Sequence, residues 1–206
     1  MSVDILDVGS GNIQSIKNWI EKTNVSTRVV NQASDIKSSL LILPGVGAAG
    51  SYMKRLKQGG YDQAILEHVD KGGRLLGICL GFQIMSAYSE EDGGVEGLNL
   101  IDGHVERLQG NISHNSWESI SLRRNKLAGQ TFHRQVNLSK KRILDGRVFY
   151  NHEYGFVNNE EKSFSIPVSN SLPKYSGLLV KDKIIGMQFH PEKSQITGLD
   201  LISMIL

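Results

Sequence analysis

The chain has 206 residues, enough for one domain with a full core or two small ones. Its formal net charge is +2, from 23 lysines and arginines against 21 aspartates and glutamates, which argues against a bulk electrostatic partner such as nucleic acid. One cysteine rules out an internal disulfide, the acidic start Met1-Ser2-Val3-Asp4-Ile5-Leu6-Asp7 is not a signal peptide, and no apolar run nears the ~20 residues that span a bilayer, so a cytoplasmic protein without membrane contact is expected.

The pattern predicts a buried strand from Val3 to Val8, closed by Gly9-Ser10-Gly11-Asn12, then a helix with Ile13, Ile16, Trp19 and Ile20 on one face. Thr27–Val30 reads as a second strand. Leu40–Leu43 is a third, apolar throughout as a strand covered on both faces would be, and Pro44-Gly45 stops it. A helix follows from Tyr61 to Lys71, with Ala64, Ile65, His68 and Val69 on one face and Gly72-Gly73 as its stop. Arg74–Ile78 is a fourth strand and Leu80–Tyr88 the helix after it. From Gly103 to Gly186 the runs are short and alternating: Val105–Leu108, Trp117–Leu122, Arg147–Tyr150 and Tyr175–Val180. Ile184–Phe189 then returns to the central sheet and Gly198–Leu206 closes the chain as a helix. The expected architecture is one α/β domain over residues 1–206. Its central sheet is mostly parallel and flanked by helices, with an added antiparallel β layer in the second half.

The chemistry concentrates at Cys79, in Gly77-Ile78-Cys79-Leu80-Gly81 between a strand and a helix. Such a segment is a nucleophile elbow: a sharp turn with small flanking residues that lifts one side chain clear of the sheet. A cysteine there stands at a helix N-terminus, whose unpaired N–H groups and dipole favour the reactive thiolate. The competing reading is a small buried hydrophobe. A thiol nucleophile needs a base, and the base needs a group to orient it. Met187-Gln188-Phe189-His190-Pro191-Glu192 offers both, since His190 ends a strand and Glu192 follows two positions on. Read without the cysteine, His190 would be a capping or core histidine.

Gly45, Gly47 and Gly50 fit the G-x-G-x-x-G dinucleotide fingerprint, but the next strand ends in Cys79 instead of the ribose-binding acid that fingerprint expects. The other use of such a loop is to offer backbone N–H groups to a developing oxyanion. Gly45 and Gly47 would let the backbone near Val46 approach a substrate, and the Leu80 N–H would be the second donor.

Taken together, Pro44-Gly45-Val46-Gly47, Gly77-Ile78-Cys79-Leu80-Gly81-Phe82-Gln83 and Gln188-Phe189-His190-Pro191-Glu192-Lys193-Ser194 resemble the class I (triad-type) glutamine amidotransferases. Within them the chain is most similar to the HisH-like glutaminase subunits of imidazole glycerol phosphate synthase. Asp7-Val8-Gly9-Ser10-Gly11-Asn12, Ser89-Glu90-Glu91 and Gly97-Leu98-Asn99-Leu100-Ile101-Asp102-Gly103 add to that likeness. The resemblance implies the family's fold and a triad of Cys79, His190 and Glu192. It implies an oxyanion hole at Val46 and Leu80, and L-glutamine held by Gly45, Gly47, Gln83, Glu91, Glu153 and Tyr154. No metal or cofactor is implied. Ammonia would pass to a partner, either a HisF-like cyclase or, in a paralogue, a sugar-modifying synthase of surface polysaccharide synthesis. A silent, partner-regulating module is the reading from another class, and another hydrolase of the same architecture the remaining enzyme reading.

The chain departs from the family in two places. A usual Pro-His-Met-Gly-Trp-Asn reads Ser113-His114-Asn115-Ser116-Trp117-Glu118, and a usual Phe-Val-His-Ser-Tyr reads Tyr150-Asn151-His152-Glu153-Tyr154. In addition Arg123, Arg124, Lys126, Arg134, Lys140, Lys141, Arg142 and Arg147 form a basic stretch, which is either a solvated surface or a docking site for an acidic partner.

Overall fold

Residues 2–123 and 143–206 are described in a computed structural model of the chain. The first half runs β1 (Ser2–Leu6), α1 (Ile13–Glu21), β2 (Ser26–Val30), β3 (Leu40–Gly45), α2 (Ala49–Gln58), α3 (Tyr61–Asp70), β4 (Arg74–Cys79), α4 (Leu80–Gln83), β5 (Tyr88–Ser89) and β6 (Val95–Glu96). The second half runs β7 (Gly103–Arg107), β8 (His114–Arg123), β9 (Ile143–His152), β10 (Tyr154–Asn158), β11 (Phe164–Pro167), β12 (Ser176–Lys181), β13 (Ile184–Met187) and α5 (Gln195–Ile205). Among the described residues, no helix is long and apolar enough to cross a membrane.

The central sheet has seven strands in the order β11-β12-β13-β4-β3-β1-β2. β2, β1, β3, β4 and β13 run parallel, while β12 and β11 add to the β13 edge antiparallel. β3 is buried at every position, which explains its unbroken apolar sequence. Two apolar cores cover the sheet. One holds Ile16, Trp19 and Ile20 of α1, Leu201 and Ile202 of α5, and the inward residues of β8 and β9. The other holds Tyr52, Met53 and Leu56 of α2, Ile65 of α3, and Phe82 stacked on Phe156 at 4.7 Å. The antiparallel layer expected in the second half consists of a four-stranded sheet, β10-β7-β5-β6, and a two-stranded ribbon, β8-β9.

Two expectations are corrected. The helix read from Leu80 to Tyr88 ends at Gln83. Beyond it the carbonyls of Ile84, Met85, Ser86 and Ala87 accept hydrogen bonds from the Gly97–Ile101 backbone, which takes the acceptors a longer helix would need. Gly97 makes that approach possible, because a Cβ there would lie 2.1 Å from the Ser86 carbonyl oxygen. The glycine-rich stretch after β3 also conceals a helix. α2 begins at Ala49, with Gly50 in its first turn, a helix that the sequence reading left out. The basic stretch lies outside the described residues except for Arg123 and Arg147, both exposed.

Candidate active site

Parallel sheets place their sites beyond the carboxyl ends of the strands, and β3, β4 and β13 deliver Gly45, Cys79 and, after two further residues, His190 to one such edge. Cys79 has φ 54° and ψ −112°, a left-handed backbone that a residue with a Cβ adopts only under constraint. Its neighbours supply the constraint. A Cβ on Gly81 would lie 1.8 Å from the Leu43 carbonyl oxygen, and one on Gly77 2.5 Å from Met85 Cε. Only glycine fits on either side of the thiol.

His190 faces the same cleft as Cys79 and is held by Glu192, with Nδ1 to Oε1 at 3.0 Å. A carboxylate only accepts, so Nδ1 carries the hydrogen and Nε2 is left for the sulfur. The His190 N–H also bonds the Phe149 carbonyl at 2.8 Å, which fixes the strand end to β9. Burial works against a charge on His190. Hydrogen bonds to Cys79 and Glu192, and the charges of both, outweigh it and push the imidazole up to about 10. Burial likewise opposes ionisation of Glu192, but the bond and charge of His190, its own N–H and the Asn12 side chain hold it below the usual carboxylate range. Asn12 Nδ2 donates to Glu192 Oε1 at 3.3 Å. Gln188, fully buried, directs Nε2 at Cys79 Sγ from 3.7 Å.

A cleft of about 450 Å³ opens over these groups. The loop at one wall is tied at both ends: the Ser10 hydroxyl donates to the Val46 carbonyl, and Glu91 and Asp92 accept from Ala49 N (3.0 Å) and Gly50 N (2.9 Å) at the start of α2. Burial raises Glu91, the Ala49 bond opposes this, and the nearby charges of Asp92 and Glu153 raise it further. That end of the cleft therefore favours a cation. Glu153 is paired with Arg107 at 2.9 Å, and the same guanidinium lies 5.7 Å from the centre of the Tyr154 ring.

The model of the glutamine amidotransferase class-I family matches residues 4–201 of the chain. The chain belongs to the class I glutamine amidotransferases. It is 34% identical to the imidazole glycerol phosphate synthase subunit HisH of Caldanaerobacter subterraneus, across 97% of this chain and 95% of the relative. It is 33% identical to the hisHF protein of Emericella nidulans, where it aligns over its whole length with 38% of that longer protein. Among solved structures it superposes on a glutamine amidotransferase with a TM-score of 0.72 at 17% identity, over 98% of this chain and 96% of the other. PurLQS of Thermotoga maritima gives 0.70 at 16%, over 99% and 94%. These two likenesses establish the shared fold.

Of the residues that the family resemblance points to, Val46, Gly47, Cys79, Leu80, Gln83, Glu91, Glu153, Tyr154 and His190 all line the cleft. Gly45 and Glu192 do not. Gly45 packs beneath the loop, where a Cβ would meet Gly81 N at 2.7 Å, and Glu192 stands behind His190. Gln83 is 5% exposed, and both its amide hydrogens are committed, to Tyr154 O (2.8 Å) and Gln188 Oε1 (3.0 Å), leaving Oε1 to face a ligand. Asn12, Ser113, Asn151, His152 and Lys193 also line the cleft and carry no role in the sequence reading. For Asn12 a signal exists: a polar residue closing the glycine turn after β1, on the same sheet edge as Cys79. For Gln188 the signal is a polar residue inside an otherwise apolar strand end.

Proposed function

We propose that the chain hydrolyses L-glutamine to glutamate and ammonia through a γ-glutamyl thioester on Cys79, as the glutaminase subunit of a two-part synthase. The observation that carries this reading is the cleft that brings Cys79, on its elbow, together with His190, whose Nδ1 is held by Glu192. The sulfur, as a thiolate, attacks the amide carbon. His190 Nε2–H gives its proton to the departing nitrogen, which leaves as ammonia. Water then attacks the thioester with His190 as base, and the thiolate is restored. Glu192 stabilises the imidazolium at each stage and takes no proton. The N–H of Leu80, with the loop at Val46 and Gly47, holds the oxyanion of both tetrahedral intermediates. Glu91, with Glu153 beside it, receives the α-ammonium group of glutamine, and Tyr154 and the free Oε1 of Gln83 complete the grip.

The ammonia passes to a HisF-like cyclase. Full-length similarity to HisH subunits supports this, as does the hisHF relative, whose name joins both parts in one chain. A second reading rests on the cleft wall: Ser113, Asn151 and Glu153 line it at the positions where the chain departs from the usual family motifs. Specificity between partners comes from such changed contacts, so a sugar-modifying synthase is the alternative acceptor enzyme. Titrating the chain with an ordinary HisF subunit and its ligand, while following glutamate release, tests both. Strong activation at ordinary affinity supports the histidine pathway. Glutaminase activity that HisF leaves unchanged points to the other synthase, and no glutamate release with any partner overturns the enzymatic reading.

A further inference from the structure

The inner face of the β8–β9 ribbon is apolar except at one end. Register pairs His114 with His152, Glu118 with Val148 and Leu122 with Leu144, and even-numbered residues face inward: Ile120, Leu122, Leu144 and Val148 are buried there. Glu118 shares that face, its side chain only 27% exposed. A carboxylate among apolar neighbours is costly unless partnered. Its Oε1 lies 3.1 Å from His114 Nε2. His114 Nδ1 lies 3.0 Å from His152 Nε2, and His152 Nδ1 lies 2.7 Å from the Tyr154 carbonyl oxygen.

The hydrogens in this line follow from its two ends. A carbonyl only accepts, so His152 Nδ1 donates to Tyr154. Burial, with the charges of His114 and His190, brings His152 down to about 4 against the raising effect of the Tyr154 bond, so its Nε2 is bare and accepts. His114 Nδ1 therefore donates to it. His114 Nε2 faces a carboxylate, where only a donor is favourable. His114 thus bridges Glu118 and His152 through its two ring nitrogens. Tyr150, whose ring centre lies 5.2 Å from that of His114, is held neutral by burial and by the charge of Glu118. Arg147 does not join the pair, since its guanidinium bonds the Trp117 carbonyl.

The line does not end at Tyr154. The same carbonyl accepts from Gln83 Nε2, Gln83 Nε2 donates to Gln188 Oε1, and Gln188 Nε2 then points at Cys79 Sγ. Each amide has its orientation forced by the one before it, so the last donor necessarily faces the sulfur. A donor to sulfur favours the thiolate.

We propose that Glu118 and His114 are positioning residues for Cys79. By fixing His152 as a neutral ring that donates from Nδ1, they hold the Tyr154 carbonyl, and through it orient the Gln83 and Gln188 amides so that a hydrogen-bond donor faces the nucleophile. The proposal rests on the glutaminase reading for what Cys79 attacks, but not for how reactive its sulfur is.

Alkylation of the full-length chain by iodoacetamide reads that reactivity at the sole cysteine, with or without turnover of glutamine. Glu118→Gln keeps a hydrogen-bond partner for His114 Nε2 but removes the carboxylate charge. Glu118→Leu removes the partner and frees both histidines to change tautomer. At pH 7 the alkylation rate should fall about twofold to threefold in the first variant and about tenfold in the second, the equivalent of one pH unit in thiolate population. Nitrogen-15 spectra of labelled histidine should show His152 with its hydrogen on Nδ1 in the parent chain and a mixture of tautomers in Glu118→Leu. Where glutamine turnover is measured, kcat should fall in parallel with alkylation and KM should stay unchanged. A folded Glu118→Leu chain alkylated at the parent rate, or a His152 whose Nδ1 carries no hydrogen in the parent, overturns the proposal. If Glu118→Leu does not fold, Glu118→Gln decides by the same two readouts. A chain inert toward glutamine whose alkylation still follows Glu118 removes the glutaminase reading and leaves this one standing.

Discussion

Among the described residues, the side chains of two carboxylates are almost fully buried, and they are satisfied very differently. Asp4, on β1, accepts from five donors: Arg28 Nε and Nη2, Lys37 N, Ser38 N and Ser38 Oγ, all between 2.7 and 2.9 Å. Glu192 places two donors, from His190 and Asn12, on Oε1, while its buried Oε2 has no hydrogen-bond partner among the described residues. A saturated buried carboxylate fixes backbone. An under-satisfied one keeps negative potential available to a neighbour, here the His190 imidazole. The two stand at different places along the parallel strands: Asp4 sits in the middle of β1, and Glu192 follows β13 at the edge with Cys79.

The largest effect that the comparison implies is on activity alone. Cys79→Ala should reduce glutamine hydrolysis on the order of 10⁴-fold or more, as nucleophile removal does in triad enzymes. Thermal unfolding should change little, because alanine keeps the Cβ and the backbone of the elbow and removes only one sulfur from the edge of the core. Retention of more than about a tenth of parent turnover removes Cys79 from the mechanism.

Asp4→Asn should do the reverse. An asparagine would turn its NH₂ toward the Lys37 and Ser38 N–H donors, or else lose Arg28, so about 3 kcal/mol of stability should be lost while kcat stays at the parent value. The pH dependence has a definite sign. Burial raises Asp4, but the bonds from Ser38, Lys37 and Arg28 outweigh it and hold it below its ordinary value. Its contribution is therefore present above roughly pH 4, where a free aspartate titrates, and disappears as pH falls through the lower folded value. Urea unfolding of both chains at pH 7 and in steps below pH 4 should show the gap closing only in acid. A gap that closes on the alkaline side would assign the stabilisation elsewhere.

Much of this contrast can be read in the sequence, and the rest has a physical reason for being hidden. The strands around the elbow are legible because they are short apolar runs between glycines, and Cys79 because glycines flank it at the spacing a sharp turn needs. His190 and Glu192 are legible as a base with a carboxylate two positions away. The early end of α4 is not, because the backbone donors that stop it come from residues 97–101, and no local propensity records them. The Glu118–His114–His152 line is hidden for a similar reason. Only the pairing of β8 with β9 brings His114 to His152, 38 positions on, and Glu118 reads locally as one more polar residue in an alternating strand.

Glu192→Gln sharpens the comparison from the active-site side. Glutamine can still accept from His190 Nδ1 but no longer carries the charge that helps to hold the imidazolium. Turnover should fall, yet by about ten- to hundredfold less than in His190→Ala, because the carboxylate takes no proton from substrate or sulfur. With its partner charge gone, His190 should lose its proton at a lower pH than the parent's value of about 10, so the alkaline limb of the alkylation profile should move downward. Two equally inactive, well-folded variants would mean that Glu192 does more than orient and stabilise.

The smallest effect belongs to Asn12. It stands at the N-cap position of α1, where an asparagine side chain normally accepts from the helix backbone, yet it makes no such bond. Its amide is turned instead to Glu192 Oε1, at a length of 3.3 Å that marks a weak bond. The side chain has been withdrawn from helix stability and given to the carboxylate that orients the base. Asn12→Ala should therefore leave thermal stability within about 0.5 kcal/mol of the parent, below the usual cost of losing a cap, since no cap bond exists to lose. It should lower kcat/KM for glutamine about threefold to tenfold, the scale of one ordinary hydrogen bond, as the long contact implies. Asn12→Asp separates support from mere occupancy: it keeps the shape but sets a second negative charge against Glu192, and should be worse than alanine. If Asn12→Ala loses stability and activity together, the residue is an ordinary helix cap and the line of groups at the active site ends at Glu192.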